Sequence, residues 1–284
     1  MSREAPCPAE ARVAAEAACG SDLLLKLISD RRGSAVWRVS GSERVAALKV
    51  GSGPEGAAIT ARETTVLERM RIHGTLLSRG RGHEMAWMLR PWYEGPSSWE
   101  AMRSARTGEG PLSLARTRAV ELCEAVAQLH ATGWVHSDLQ PQHDIHTQDG
   151  VRFIDMAWAW NPDKLAASPL FMGGLPHLLA PELALSIHKG ERPVAPSPSA
   201  EVYTLAASLW WAITEEWPLD YGRAGIDASK ATAAALREVI GTREMPLRSP
   251  RIWPVVQDGL AHVLLAPPET RPSAAELADW LRAS

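Results

Sequence analysis

Residues 134–160, WVHSDLQPQHDIHTQDGVRFIDMAWAW, combine a polar loop with two short apolar runs. Two short apolar runs flank the dipeptide Asp149-Gly150, a pair that favours a tight turn between antiparallel strands. The segment just before, 114–132, has an apolar stripe at helical spacing and stops before Gly133. The sequence therefore predicts a helix, then a polar loop, then a small hairpin.

Upstream of this stretch the pattern is typical of β-structure. Three short apolar runs within residues 23–50 are separated by the turn clusters SDRRGS and SGSE, which predicts three antiparallel strands. A helix is predicted over 54–74 and two further short strands over 83–95. Strands come first and helices after, in separate blocks, so the predicted class is α+β.

Downstream, residues 161–182 have no clear periodicity, and the proline- and serine-rich residues 186–199 predict a surface loop. Four helices are then predicted: an apolar one over 201–213, a polar one over 230–240 and two terminal ones over 255–265 and 273–282.

Composition excludes several classes of protein. Of the 284 residues 45% are hydrophobic and 22% charged, which excludes disordered, collagenous and coiled-coil chains. A net charge of −3 gives no electrostatic signal for binding nucleic acid or acidic membranes. Three cysteines without metal-type spacing favour a reducing compartment, and the N-terminal twenty residues lack the apolar core of a signal peptide. We therefore expect a soluble, cytoplasmic protein.

Several short motifs follow one another along the chain: VAALKV with Lys49, ARETTVLERM with Glu63, VHSDLQPQH with Asp138, FIDMA with Asp155, GLPHLLAPEL with Glu182, EVYTLAASLWWAIT with Glu201 and PETRPSAAEL with Arg271. From about residue 23 onward the chain resembles the catalytic domain of eukaryotic-like Ser/Thr protein kinases. The resemblance implies a bilobal fold, with a small antiparallel-sheet lobe over 1–90 and a larger, mainly helical lobe over 91–284. Nucleotide would bind in the cleft between them.

The resemblance also implies roles for individual residues. Lys49 would contact the nucleotide phosphates and be held by Glu63, and Asp138 would be the catalytic base. Asp155 would hold Mg²⁺, and Glu182 would pair with a buried Arg271. Independently of the family, a lysine in an apolar strand must be paired, serve an anionic ligand or extend to water, because burying it alone is costly.

The resemblance also implies ATP recognition at two further places. Gly33 and Ser34 remain from a phosphate-covering loop that is usually richer in glycine, and Trp92 and Tyr93 lie where an adenine ring would stack and bond to backbone. Pro91 removes one backbone donor there.

One loop position bears on the metal. His143 occupies the position of the asparagine that binds the second metal, and imidazole favours Mn²⁺ over Mg²⁺ relative to an amide oxygen. A dedicated transition-metal site in this histidine-rich loop is the less favoured interpretation. His136 corresponds to a structural histidine of the family, and His146 is expected to face water.

Two departures from the family concern regulation and substrate. Ser137 replaces the arginine that clamps a phosphorylated activation loop, and Ser168 is the only hydroxyl residue between Met156 and Pro181, which predicts no activation by loop phosphorylation. Gln140 and Leu175 replace a lysine and a threonine that normally contact each other, so the acceptor pocket should differ.

The sequence leaves three functions open. The first is ATP-dependent phosphoryl transfer to a hydroxyl of a protein or peptide substrate, with no nucleic-acid or membrane partner. The second is a phosphotransferase that modifies a natural-product peptide or a small-molecule acceptor, and the third is a pseudokinase that binds a partner protein without turnover.

Overall fold

The computed structural model describes residues 7–249 and 251–284. Residues 1–6, part of the stretch used above to exclude a signal peptide, lie outside the described residues. The chain divides into two compact units, one up to Tyr93 and one from Glu94 onward. In the described ranges no helix combines the length and the apolar character that crossing a membrane requires.

The first unit is a five-stranded antiparallel sheet with two helices. In chain order its elements are α1 Ala9–Cys19, β1 Leu24–Arg31, β2 Ser34–Ser40, β3 Val45–Ser52, α2 Gly53–Met70, β4 Ser78–Arg81 and β5 Met85–Pro91. The sheet order is β1-β2-β3-β5-β4. The three strands predicted between residues 23 and 50 are confirmed.

Burial in this sheet follows the two-residue period of a strand. In β3, Ala46, Leu48 and Val50 are buried on one face, against the small buried side chains of α1. Lys49 lies on the opposite face, the face that α2 covers. Lys49 therefore points towards α2 and not into the apolar core between the sheet and α1.

Two details of the first unit differ from the sequence prediction. Residues 83–95 contain one strand, β5, and its neighbour β4 lies earlier, in the polar segment 78–81, which has no apolar alternation to reveal it. Helix α1 was not predicted, because its buried face consists of Ala11, Ala15 and Cys19, residues too small to give a strong apolar stripe.

The second unit is mainly helical. Its elements are α3 Ser98–Ala101, α4 Arg103–Thr107, α5 Leu112–Ala131, β6 Asp144–Thr147, β7 Gly150–Phe153, α6 Pro181–His188, α7 Pro198–Thr214, α8 Ala233–Gly241, α9 Pro254–Leu265 and α10 Ala274–Ala283. The hairpin at Asp149-Gly150 and the helix after residue 112 are confirmed. Helix α7 is buried on most of its surface and packs against α3, α4, α5 and α9.

A sheet unit followed by a helical unit confirms the predicted α+β class. The loop predicted over 186–199 is shorter than expected, because α6 continues to His188 and α7 begins at Pro198.

Candidate active site

Lys49 is paired within the first unit. Its Nζ lies 2.7 Å from Oε2 of Glu63 on α2, and the Glu63 side chain is 1% exposed. Arg90 on β5 approaches the other oxygen of Glu63, with 3.5 Å between Nη1 and Oε1. The predicted pairing of Lys49 with Glu63 is confirmed. The alternative interpretation, a strand-end lysine that extends into water, is wrong. Sequence reasoning missed Arg90, whose strand pattern gave no sign of an inward-facing cation.

The β1–β2 connection is a two-residue turn. Arg32 and Gly33 both have positive φ, 51° and 73°. Positive φ at both central residues is typical of a tight hairpin turn. The Gly33 carbonyl accepts a hydrogen bond of 2.7 Å from the Ser52 amide, and a Cβ at residue 33 would lie 2.8 Å from the Ser52 oxygen. The close approach of the Ser52 backbone thus explains glycine at position 33 without a ligand. Phosphate contact by Gly33 and Ser34 stays a prediction.

Trp92 and Tyr93 end the first unit. The Trp92 amide donates to the Val45 carbonyl at 3.2 Å, so this donor is already engaged in extending the sheet. The guanidinium of Arg38 lies 5.5 Å from the Trp92 ring centre, and that of Arg90 lies 5.6 Å from the Tyr93 ring centre. The contact of either ring with adenine stays a prediction, and the Trp92 amide is not available for it.

The predicted catalytic loop is fixed by a buried carboxylate of the second unit. Glu201 on α7 accepts hydrogen bonds from the Ser137 amide at 2.6 Å and from His130 Nε2 at 2.8 Å. Ser137 has a positive φ of 71°, in the left-handed region of backbone conformation. His130, near the end of α5, was not singled out from the sequence, since a polar residue in a last helical turn is unremarkable there.

His136 has the structural role that the resemblance implied. Its ring is fully buried, with Nε2 donating to the Ile154 carbonyl at 2.9 Å and Nδ1 facing the Asp138 amide at 3.3 Å. Burial lowers the pKa of His136, so the ring is neutral and can accept at Nδ1 while donating at Nε2.

Asp138 is a largely buried carboxylate with a defined set of donors. Its side chain is 12% exposed, and Oδ1 accepts a hydrogen bond of 2.9 Å from Gln140 Nε2. The His143 Nδ1 donates to the Asp138 backbone carbonyl at 2.8 Å and lies 3.6 Å from Oδ2. Burial raises the pKa of Asp138, an effect that His143 and Gln140 partly oppose. The result is a carboxylate more basic than an exposed one.

His143 links Asp138 to Asp155. With Nδ1 donating to a carbonyl, the other ring nitrogen faces Asp155, at 3.5 Å between Nε2 and Oδ2. Asp155 has φ 58° and a side chain that is 43% exposed. The structure therefore brings Asp138, His143 and Asp155 together, as predicted for the loop. Within residues 7–249 and 251–284 no group of three or more histidine, cysteine or carboxylate side chains is arranged to hold a metal ion.

His146 does not face water, contrary to the sequence expectation. It is 3% exposed, with Nε2 3.0 Å from Ser98 Oγ and Nδ1 3.1 Å from Glu121 Oε2. The reason is strand geometry: Asp144 and His146 are two apart on β6 and share its inward face. Asp144 accepts from Ser98 at 2.5 Å, and burial raises its pKa to about 7.

The segment that follows Asp155 passes directly over the Asp138 carboxylate. Gly174 has φ 60°, and a Cβ there would lie 2.2 Å from Asp138 Oδ1, so only glycine fits. The next residue, Leu175, is half-buried and packs against the apolar core of the second unit. The sequence signal for this contact was the Gly173-Gly174 pair.

Ser168, the single hydroxyl residue between Met156 and Pro181, is 6% exposed, and its Oγ accepts from the Leu170 amide at 3.3 Å. A buried hydroxyl in this setting is a poor phosphorylation target. We expect Ser168→Ala to be as active as the parent, measured as the initial rate of radiolabelled phosphate transfer. A loss beyond about tenfold, equivalent to about 1.4 kcal/mol of transition-state stabilisation, would contradict this.

Glu182 and the buried Arg271 form the pair that the resemblance implied. Arg271 has a fully buried side chain and donates to both Glu182 oxygens, at 2.7 and 3.3 Å. Arg243 adds a third contact to Glu182 at 3.0 Å. Burial alone would raise the pKa of Glu182. The hydrogen bonds and the charge of Arg271 outweigh this effect and hold that pKa below its usual range. The predicted pairing is confirmed.

Comparison with known proteins gives relatives of one kind. Over 199 residues the chain is 30% identical to the probable serine/threonine-protein kinase PkwA of Thermomonospora curvata, which is 67% of this chain and 23% of that protein. Sperm motility kinase 3A of Mus musculus is 28% identical over 187 residues, 65% of this chain and 33% of that protein. Serine/threonine-protein kinase AfsK of Streptomyces coelicolor is 28% identical over 133 residues, 46% of this chain and 16% of that protein.

The chain thus spans about a third or less of the length of these relatives. No protein-family model matches it. The relatives come from bacteria and from a mammal, and their shared description agrees with the sheet unit, the helical unit and the two confirmed ion pairs. The chain therefore contains a eukaryotic-like Ser/Thr protein kinase catalytic domain with a reduced glycine loop and an altered catalytic loop.

Proposed function

We propose that the chain transfers the terminal phosphoryl group of ATP to a hydroxyl of a protein or peptide substrate. The observation that carries this proposal is the state of Asp138. Its carboxylate is mostly buried, fixed by Gln140 and beside His143, with its pKa raised by burial. A fixed carboxylate of raised basicity is what a general base for a hydroxyl requires.

Gln140 supports the role of Asp138 as a base. The amide donates one neutral hydrogen bond to Asp138 Oδ1, whereas a lysine at this position would add a positive charge. A neutral donor stabilises the anionic form of Asp138 less than a cation would, so the base stays more basic. The acceptor then has to be oriented by other contacts, which supports an acceptor pocket unlike that of common Ser/Thr kinases.

The donor groups on the chain fit ATP with a divalent cation. Mg²⁺ in phosphate sites is typically bound by one or two carboxylates, with phosphate oxygens and water completing the shell. Asp155 supplies a partly exposed carboxylate, and His143 Nε2 beside it is a ligand type that Mn²⁺ also accepts. Such a cation would neutralise charge on the phosphates. Lys49, kept in place by Glu63, would position the phosphates.

A scaffold without turnover is the second candidate, and one contact favours it. His143 Nε2 lies 3.5 Å from Asp155 Oδ2, so the ring occupies the space beside the carboxylate that a metal would need. The two-residue β1–β2 turn, tied to Ser52, also offers few backbone amides for phosphate. A small-molecule or natural-product acceptor is the third possibility and differs from the first in the acceptor alone.

Nucleotide binding is required for the proposed enzyme, and its absence would leave the scaffold. We expect ATP with Mg²⁺ or Mn²⁺ to raise the melting temperature of the parent, because a ligand of the folded state stabilises it by mass action. Lys49→Met should lose most of that shift, relative to its own ligand-free melting temperature.

Lys26→Met is the matched control, since Lys26 is an exposed lysine on β1 of the same unit. It should keep the parent shift. No shift in the parent at millimolar nucleotide with either metal would overturn the proposed activity and leave the scaffold.

A further inference from the structure

One buried arginine of the second unit, Arg237, forms no ion pair with a carboxylate of the described residues. The described residues include three arginines with less than a tenth of their surface exposed: Arg90, Arg237 and Arg271. Arg90 lies against Glu63 and Arg271 against Glu182. Arg237 on α8 instead donates through Nη2 to the neutral Met172 carbonyl at 2.8 Å.

A second cation converges on the same residue. Arg192 is exposed and points Nη2 at Met172 Sδ, 3.1 Å away. Burial, and to a lesser extent the charge of Arg192, lower the pKa of Arg237. In the described part of the chain neither guanidinium forms an ion pair with a carboxylate. A buried cation beside another cation is costly unless an anion completes the site.

The two arginines contact Met172, and Met172 is close in sequence to the residue that lies against Asp138. Met172 is two residues before Gly174, which lies against Asp138 Oδ1. Two residues of extended chain span at most about 7 Å. Met172 is 41% exposed, so the surface around the two arginines is open. An anion held there would therefore lie within a few residues of an acceptor hydroxyl at Asp138.

We propose that Arg192 and Arg237 form an anion-binding site that selects protein substrates with a carboxylate or phosphate group close to the acceptor hydroxyl. Guanidinium groups bind both anions through paired hydrogen bonds, which lysines cannot reproduce. The selection of substrates rests on the proposed function, whereas the binding of the anion does not.

The first test uses synthetic peptides with one central serine acceptor. Glutamate, phosphoserine, glutamine or lysine is placed in turn at each of the flanking positions. We expect the best acidic position to raise kcat/KM by about tenfold over glutamine, or about 1.4 kcal/mol. Arg192→Ala should remove most of this preference, and Arg237→Gln should do the same if it folds. Arg103→Ala, an exposed arginine on α4, is the control and should keep the preference.

The second test needs no activity. Inorganic phosphate and a phosphoserine peptide should raise the melting temperature of the parent, and Arg192→Ala should reduce the shift. A preference for phosphoserine without one for glutamate identifies phosphate as the recognised group, and a preference for both identifies negative charge in general. If binding depends on Arg192 but no peptide is phosphorylated, the anion site stands and the proposed function fails. Equal rates for glutamate and glutamine peptides, with equal binding by parent and Arg192→Ala, would overturn the site.

Discussion

Replacing Asp138 with asparagine should lower the rate of phosphoryl transfer by about 10²–10⁴-fold, which is the usual contribution of a positioned general base. The substitution keeps the shape of the side chain and its place beside Gln140 and His143, but it removes the basic oxygen. Nucleotide should still bind, because the resemblance places Asp138 at the acceptor hydroxyl and not at the phosphates. The measurement is radiolabelled phosphate transfer, or slow ATP hydrolysis where no acceptor is known, with Mg²⁺ and with Mn²⁺.

Asp163→Asn is the matched control, since Asp163 is exposed in the same unit and makes the same change of charge. It should keep the parent rate. If Asp138→Asn equals the parent under every condition while both bind ATP, Asp138 is not the base and the phosphotransferase proposal fails.

Replacing Arg271 with methionine should lower the free energy of unfolding by about 3 kcal/mol, because Glu182 and two backbone carbonyls lose the same buried, charged hydrogen-bond donor. Arg271 also donates to the Ser199 and Ala266 carbonyls, at 2.7 and 3.3 Å, so three anchoring contacts are lost together. Glu182 keeps Arg243, which limits the loss. The measurement is urea unfolding followed by tryptophan fluorescence.

Arg282→Met is the control for burial. Arg282 pairs with Glu124 and Asp279, but its side chain is 50% exposed, and exposed pairs contribute about 0–1 kcal/mol. Equal destabilisation by the two substitutions would mean that burial of Arg271 adds nothing. The Glu182–Arg271 pair would then be no more important than an exposed one.

Much of the fold could be predicted from local pattern. Strands β1 to β3, the Asp149-Gly150 hairpin and helices α5, α7, α9 and α10 all carry a clear two-residue or 3.6-residue apolar period. Elements without such a period were missed: α1 has an alanine face, β4 is polar, and α3 and α4 are one turn or little more. Such elements form because neighbours pack against them, and a single-sequence pattern does not contain those neighbours.

The site divides in a similar way. The order of motifs placed Lys49 with Glu63 and Glu182 with Arg271, and both pairs are present at 2.7 Å. Order along the chain is enough for such residues because their family positions fix their partners. The residue-level roles of Asp138, Asp155 and His143 in catalysis and metal binding stay predictions for the experiments above.

The α+β class, the order of most elements and the motifs of a kinase domain could be predicted from the sequence, because these depend on spacing along the chain. Which polar groups meet in the interior could be seen only in the folded structure. It buried His146, placed Gly174 on the Asp138 carboxylate and brought Arg192 and Arg237 to Met172. Burial and pairing depend on which face of each element turns inward and on the cost of desolvating a charge, and both are set by residues far apart in sequence.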